Sequence, residues 1–466
     1  MRTTSYFMAI LVFLPLVVIS ACSHKPEHVP PNIIFILADD LGAGDLRCTG
    51  HPYALTPHLD RLADQGIRFE RAYMAGAWCA PSRYGIMSGQ FPARYFDESR
   101  NIRSSEPTVT GMLKEAGYTT AHFGKWHMTS NSDQQTIPGD FGIDTHFLTN
   151  FRGGAEVNTW TRQERDKEYW RAASTDAYVD MTIDFIRHSR TDSLLRPFFI
   201  NLWIYPTHSY IHPTPEQLEV YDGLRVDMND FDPYQQEFLK FVALHGNIDS
   251  AMRAYCADVT AMDRALGRLF AFLEQEGLDK NTLIVFTSDN GPGPLTTQVN
   301  SGSVAKRYKE RPDLLNSVGS PKIYKERKVS LHDGGIRVPF IISWPEKIMS
   351  GKVDTVSVIH GTDWLPSLAS ICSLEIPEGN YDGSDVSAAF LGKDLIREKD
   401  IFWTQAGTIA MLSDPWKAIL NRDGEFLLYD IVKDPEELHD LKTENPELAE
   451  QLKKDIFEWK ETLKSQ

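Results

Sequence analysis

At 466 residues the chain is longer than one hydrophobic core usually serves, which predicts a large domain with a smaller companion. Hydrophobic residues at 42% and charged residues at 24% exclude an intrinsically disordered chain. A formal net charge of -16 excludes nucleic acid as a partner, because that binding rests on basic groups displacing phosphate counterions.

The first 21 residues read as an export signal, with Arg2, an apolar run from Tyr6 to Ile19 and small residues at Ser20 and Ala21. The run is too short to predict a membrane span. Ile19-Ser20-Ala21-Cys22 resembles a bacterial lipobox, which predicts a lipid anchor at Cys22 and a place in the periplasm or at the cell surface. Residues 22–31, with two histidines and three prolines, read as a tether. The remaining cysteines, Cys48, Cys79, Cys256 and Cys372, are too scattered for a disulfide framework and lack the paired short spacing of a zinc site.

Asn32 to Ala38 is a continuous apolar run of strand length, as expected of a strand buried on both faces, and it stops at Asp39-Asp40. Pro107 to Ala116 and Ala177 to Arg187 read as helices, and Phe198 to Ile204 as another buried strand. Met252, Tyr255, Val259, Met262, Leu266, Leu269 and Leu273 recur at steps of three and four, a helix stripe that packs on a sheet. Thr282 to Phe286 repeats the form of the first strand and runs into Thr287-Ser288-Asp289-Asn290-Gly291. Alternating strands and helices predict a layered α/β domain over residues 32–370. From residue 371 to 466 the texture changes to short strands (409–412, 417–420, 425–429) and a charged helix from Pro446, which predicts a smaller α+β domain.

In open α/β sheets ligands sit beyond the carboxyl ends of the strands, so the polar clusters after the first and the later apolar run can converge although far apart in sequence. Asp39, Asp40, Asp289 and Asn290 are hard oxygen donors, suited to Ca²⁺ or Mg²⁺.

Cys79-Ala80-Pro81-Ser82-Arg83, continuing to Ser88-Gly89, resembles the signature of the formylglycine-dependent sulfatases. Gly117 to His127 resembles the family's second signature, and Thr207-His208 and Lys328 before Asp333-Gly334-Gly335-Ile336-Arg337-Val338-Pro339 resemble two further landmarks. The family usually has glutamate where Asp333 stands. Leu428-Tyr429-Asp430 with Asp434-Pro435-Glu436 is similar to its C-terminal domain. The resemblance runs from about Pro31 to the end and implies an alkaline-phosphatase-like α/β fold, a large mostly parallel sheet flanked by helices, with a small C-terminal sheet domain.

It also implies chemistry. A maturation enzyme would oxidise Cys79 to formylglycine, whose hydrate offers two hydroxyls: one attacks sulfur and expels the alcohol, the other collapses the adduct to aldehyde and free sulfate. Asp39, Asp40, Asp289, Asn290 and position 79 correspond to ligands of one divalent cation, Ca²⁺ ahead of Mg²⁺. Arg83 belongs to the signature, Lys125 faces sulfate and nucleophile, His127 is the base, and His208 and Lys328 bind the bridging oxygen and protonate the leaving alcohol. His212 is the rival of His208, and His122 is expected to be structural.

The expected substrate is a sulfated carbohydrate such as a glycosaminoglycan fragment. Two alternatives stay open: a phosphatase or phosphonate monoester hydrolase of the same superfamily, and an inactive lipid-anchored glycan-binding protein. From Lys306 to Lys328 eight basic side chains stand against three acidic ones, a local +5 that predicts a loop drawing anionic glycan to the site.

Overall fold

A computed structural model describes residues 29–95, 102, 106–128, 138–149, 170–190, 196–209, 211–294 and 318–463. The expected export signal, Cys22, most of the tether, and Lys306, Arg307, Lys309 and Arg311 lie outside the described residues. Residues 31–466 form one compact unit. Among the described residues no helix is long and apolar enough to cross a membrane.

The main sheet has eight strands. Its centre is β1 (Asn32–Ala38), and the others are β2 (Ile67–Phe69), β4 (Thr119–Lys125), β5 (Thr145–Thr149), β6 (Phe198–Trp203), β7 (Thr282–Ser288), β8 (Phe340–Ser343) and β9 (Lys352–Asp354), while β3 (Ala72–Tyr73) and β10 (Ile359–His360) make a separate pair. The spatial order is β5-β4-β6-β1-β7-β8-β2-β9. Every pairing in it is parallel except those made by β8, which runs against β7 and β2.

The unbroken apolar run of β1 follows from its place in the middle. Ile34, Ile36 and Ala38 enter one core, whereas Ile33, Phe35 and Leu37 enter the core on the opposite face, as successive strand residues must. On the first face lies the helix Ile248–Gln275, which buries the stripe Met252, Tyr255, Val259, Met262, Leu266, Leu269 and Leu273. On the second lie the helices Cys79–Ser88, Val109–Glu115 and Trp364–Ile371. The structure bears out the expected helices and strands, with ends shifted by a few residues and the helix expected at 177–187 extended to Trp170–Ser189.

The C-terminal sheet is an antiparallel meander of β11 (Ile401–Gln405), β12 (Thr408–Ser413), β13 (Trp416–Leu420) and β14 (Phe426–Asp430), covered by the helix Pro446–Thr462. Its core also takes in Tyr73, Ala77, Phe91, Leu331 and Ile336, so residues from both sides of position 371 share one apolar interior.

Candidate active site

Parallel pairing of β1 and β7 aligns Ala38 with Ser288, so Asp39-Asp40 and Asp289-Asn290 leave the sheet side by side. Asp289 N–H donates to Ala38 O at 3.1 Å, and Asp40 N–H donates to Asp289 Oδ1 at 3.2 Å. Asp40 takes a left-handed backbone, φ 65°, a conformation that aspartate tolerates better than most residues. On the other side of β1, β6 leads to Thr207, whose N–H donates to Asp39 O at 2.8 Å, and then to His208. Beyond it β4 ends on Lys125, with His127 two residues on. Four strand ends thus deliver their polar residues to one place.

The fifth contribution is the helix Cys79–Ser88, all ten residues of which are buried. Cys79 opens it and Arg83 stands one turn later on the same face. Pro81 is tolerated because it lies in the first turn. The helix ends at Gly89, φ 70°, where a left-handed residue is needed.

Charge pairing in the site is dense. The Cys79 thiol donates to Asp39 Oδ1 at 3.1 Å, and Lys328 Nζ donates to Cys79 Sγ at 3.4 Å and to Asp40 Oδ1 at 2.5 Å. Lys125 Nζ lies 2.5 Å from Asp39 Oδ2. Arg83 donates from Nε (3.0 Å) and a terminal nitrogen (2.6 Å) to Asp289 Oδ2, and also to Lys125 O at 2.8 Å, with its guanidinium over the Trp203 ring. His208 turns Nε2 to within 3.8 Å of Asp40 Oδ2 while Nδ1 meets Ser209 O at 2.8 Å. A carbonyl only accepts, so Nδ1 carries a hydrogen, and Nε2 is the inward nitrogen. The His127 ring stands edge-on to Trp78, the residue before Cys79.

The environment sets protonation. Burial, then Asp289 and Asp39, push the Cys79 thiol far above its ordinary range, so it is not a thiolate. Burial acts to raise Asp39 too, but Lys125, His208, Arg83 and Lys328 outweigh it and hold the carboxyl well below the usual range. Asp289 goes the other way, to about 6, through burial and the like charge of Asp39. His127 is pulled down to about 2 by burial and by Lys125 and Arg83, and His208 to about 4, chiefly by burial. Both imidazoles are therefore neutral near pH 7. Burial opposes the charge on Lys328, yet Asp40 overrides it and keeps the ammonium protonated.

The donor set fits a hard divalent cation. Asp39, Asp40, Cys79 and His208 offer atoms all within 4.8 Å of one another. Asn290 donates from Nδ2 to Asp40 Oδ1 at 2.8 Å, but its buried Oδ1 has no hydrogen-bond partner. A buried carbonyl oxygen left bare beside three carboxylates is what an oxygen-seeking ion would satisfy.

All the site residues read from the sequence are thus neighbours. His208 belongs to the acidic group, while His212 is half-buried further along the loop. His122 packs between the rings of Trp126 and Trp203, at 5.2 and 4.7 Å, as a structural residue. Of the basic stretch, the described members all turn inward: Lys322 to Glu70 (2.9 Å), Lys325 to Glu437 O (3.1 Å), Arg327 to Gly293 O (2.8 Å) and Lys328 to Asp40. Glycan attraction by this segment would have to come from Lys306 to Arg311, outside the described residues.

Sequence reading missed the support beneath Asp40. Tyr255 donates to the buried carboxyl of Asp45, Thr207 Oγ1 lies 3.1 Å from the Tyr255 hydroxyl, and Thr207 donates to Asp40 O at 3.1 Å. The turn-forming Gly42-Ala43-Gly44-Asp45 after the acidic pair was the available signal.

Residues 31–372 match the Sulfatase family model. An N-acetylgalactosamine-6-O-sulfatase of Bacteroides thetaiotaomicron is 26% identical, with 95% of this chain and 97% of that one covered. Human arylsulfatase A is also 26% identical, over 88% of this chain and 83% of its own length. Among solved structures, Ps i-CgsB in complex with k-i-k-neocarrahexaose superposes with a TM-score of 0.72 at 24% identity, covering 92% of this chain and 93% of that one. That likeness supports the fold.

Proposed function

The chain belongs to the sulfatase family and is a hydrolase of sulfate esters, and on that premise we propose that its substrates are sulfated sugars, cleaved with a formylglycine made from Cys79 and one hard divalent cation. The observation that carries the reading is the convergence of Cys79, Arg83, Lys125, His127, His208 and Lys328 around Asp39, Asp40, Asp289 and Asn290. The sugar class draws its support from the N-acetylgalactosamine-6-O-sulfatase, which aligns over nearly the whole chain.

Asp39, Asp40, Asp289, the orphaned Asn290 Oδ1 and position 79 would hold the ion, Ca²⁺ ahead of Mg²⁺, which when bound supplies positive charge against the sulfate oxygens. Formylglycine, made by a maturation enzyme, supplies a hydrated aldehyde as nucleophile where a buried, protonated thiol would be inert. The chain's own residues do the rest. Lys125 and Lys328 flank the nucleophile and set fixed positive charge where a sulfate would dock. Lys328 is the protonated group on the leaving-alcohol side, and His208 Nε2 lies beside it ready to hydrogen-bond the bridging atom once protonated. His127, neutral and close to Lys125, suits the removal of a proton from the nucleophile's second hydroxyl. Arg83 is occupied by Asp289 and Lys125 O, and so orients the acidic group.

Side-by-side assay of sulfate, phosphate and phosphonate monoesters tests the assignment. Preference for sulfate esters is expected; preference for phosphate or phosphonate esters, or no turnover by protein carrying the aldehyde, would overturn it. The leader and Cys22 support export with a lipid anchor on the periplasmic or outer face. Under that reading Cys22→Ala moves the protein from the membrane fraction to the soluble one.

A further inference from the structure

Next to Lys328 lies a cavity of about 350 Å³, within the size range that holds small organic ligands. It is lined by Lys328, by Ser330 and His332 from the same loop, and by Gln405, Thr408 and Asn421 from the C-terminal sheet. Lys328 belongs both to this lining and to the proposed reacting site, its Nζ lying 3.4 Å from Cys79 Sγ.

The lining has a definite chemistry. Among apolar side chains such as Phe238, Leu331 and Ile419, the hydroxyls of Ser330 and Thr408, the amides of Gln405 and Asn421 and the His332 imidazole supply donors and acceptors. Asn421 Nδ2 also donates to Glu425 at 2.9 Å, and His332 Nδ1 lies 3.2 Å from Glu437 Oε1. The cations on its wall are engaged elsewhere: Arg327 donates to Gly293 O (2.8 Å) and Gly319 O (2.7 Å), with its guanidinium over the Phe238 ring, and Lys328 donates to Asp40 at 2.5 Å. The carboxylate on the lining, Glu326, is exposed. A second sulfate would meet that carboxylate and, among the described residues of the lining, no disengaged lysine or arginine. A neutral ring of hydroxyl groups would meet partners for donation and acceptance alike.

The walls are also fixed in place. Gln405 and Thr408 pair across a two-residue hairpin whose centre, Ala406 (φ 50°) and Gly407 (φ 89°), has the doubly left-handed backbone that matches strand twist. The loop carrying Lys328 is tied to that sheet through buried ion pairs, Asp333 to Lys417 at 2.6 Å and Lys417 to Glu437 at 2.9 Å. Asp333 N–H donates to Glu437 at 2.7 Å, and Gly334 N–H donates to Lys325 O at 2.8 Å. A preformed polar cavity binds with little ordering cost.

We propose that this cavity is a subsite for a neutral, hydroxyl-rich sugar unit attached on the alcohol side of the scissile ester. The proposal rests on the sulfatase reading, because Lys328 marks the alcohol side only if that reading holds. It makes Gln405 and Asn421 specificity residues that act on glycans and not on the sulfate itself.

The test compares wild type with the double variant Gln405→Ala/Asn421→Ala. The substrates are para-nitrophenyl sulfate and a panel of monosulfated hexoses and N-acetylhexosamines, each alone and each extended by one neutral hexose. Wild type should turn over at least one extended sugar sulfate with a lower KM than its monosaccharide. The double variant should raise that KM about tenfold, the size expected for two lost hydrogen bonds, and leave kcat and KM for para-nitrophenyl sulfate unchanged. Equal losses on both substrates, an unchanged extended-substrate KM, or a wild type that gains nothing from the neutral extension would overturn the subsite. Failure of wild type on every sulfate ester would overturn the sulfatase reading itself, a result distinct from the others.

Discussion

Among the described residues, two of the clusters of buried charge are built on opposite plans. Around Asp333 each oxygen meets a cation, Oδ1 with Lys417 at 2.6 Å and Oδ2 with Arg337 at 3.0 Å, while Tyr73 also donates to Oδ2 at 3.0 Å. Burial would raise that carboxyl, but Lys417 and Arg337 hold it below its ordinary range. Around Asp289 the like charge of Asp39 adds to burial, the carboxyl rises to about 6, and the neighbouring Asn290 Oδ1 has no partner. The first cluster is closed around Asp333 and ties the C-terminal sheet to the loop that carries Lys328. The second is open: the Asn290 Oδ1 acceptor is unmet, as the proposed ion would require. Buried charge alone therefore does not mark a site; charge left with spare valence does.

The comparison breaks most sharply at Cys79. Cys79→Ala should reduce sulfate-ester turnover to the background rate, while far-ultraviolet circular dichroism and the unfolding midpoint stay near wild type, because the side chain removed is small. Next in size is the ion. Asp289→Asn keeps the shape of the open cluster but removes a charged donor, so calorimetric Ca²⁺ titration should show affinity lower by at least about tenfold, and activity should fall with it.

Lys417→Met probes the closed cluster. It leaves Asp333 and Glu437 buried without their shared cation and should cost about 3–5 kcal/mol in denaturant unfolding, the range for breaking a buried ion pair by removing one partner. Asp289→Asn in chelator should cost far less near pH 7, because the carboxyl is raised to about 6 in spite of its pairing with Arg83, so losing its charge relieves repulsion from Asp39. Equal destabilisation by the two would erase the distinction drawn between the clusters.

A smaller effect separates the clusters by pH. Asp289 has a folded value near 6, above the ordinary 3.8, so between those values the folded state binds more protons than the unfolded one. In metal-free protein its contribution to stability thus declines as pH rises from about 4 to about 6. Asp333 has the opposite sign: its contribution is present above pH 3.8 and is lost as pH falls through its lowered folded value. Asp45, raised to about 7, acts in the same direction as Asp289, so the diagnostic quantity is the difference between wild type and Asp289→Asn. That difference should shrink toward pH 4 in chelator. With Ca²⁺ present, affinity should weaken as pH falls through about 6, because protons compete for the carboxylate.

The two clusters were unequally legible in the sequence. The open one announced itself because two apolar strands ended in acidic pairs and because Cys79-Ala80-Pro81-Ser82-Arg83 has a recognisable spacing. The helix Cys79–Ser88 that presents the motif was not foreseen: it is buried on all sides, so it lacks the polar-apolar period that reveals a surface helix. The amphipathic Ile248–Gln275 was easy to read for the converse reason. Strands of two or three residues, such as β3, β9 and β10, are too short to carry a period. The closed cluster was invisible. Lys417 lies 84 residues from Asp333, inside a short strand where a lone lysine reads as a solvent-facing residue, and only the packing of the C-terminal sheet turns it inward. In the segment ending in Lys328 the described basic side chains serve internal partners, which a count of charges does not reveal.

Under the proposed function the chemistry at position 79 belongs to an aldehyde and not to a thiol. Peptide mass spectrometry of active protein, produced in a host with a formylglycine-generating enzyme, reads this directly, with turnover measured on the same sample. Formylglycine is expected at position 79 in a fraction that scales with specific activity across preparations. Full activity in protein whose residue 79 is an unmodified cysteine would contradict it.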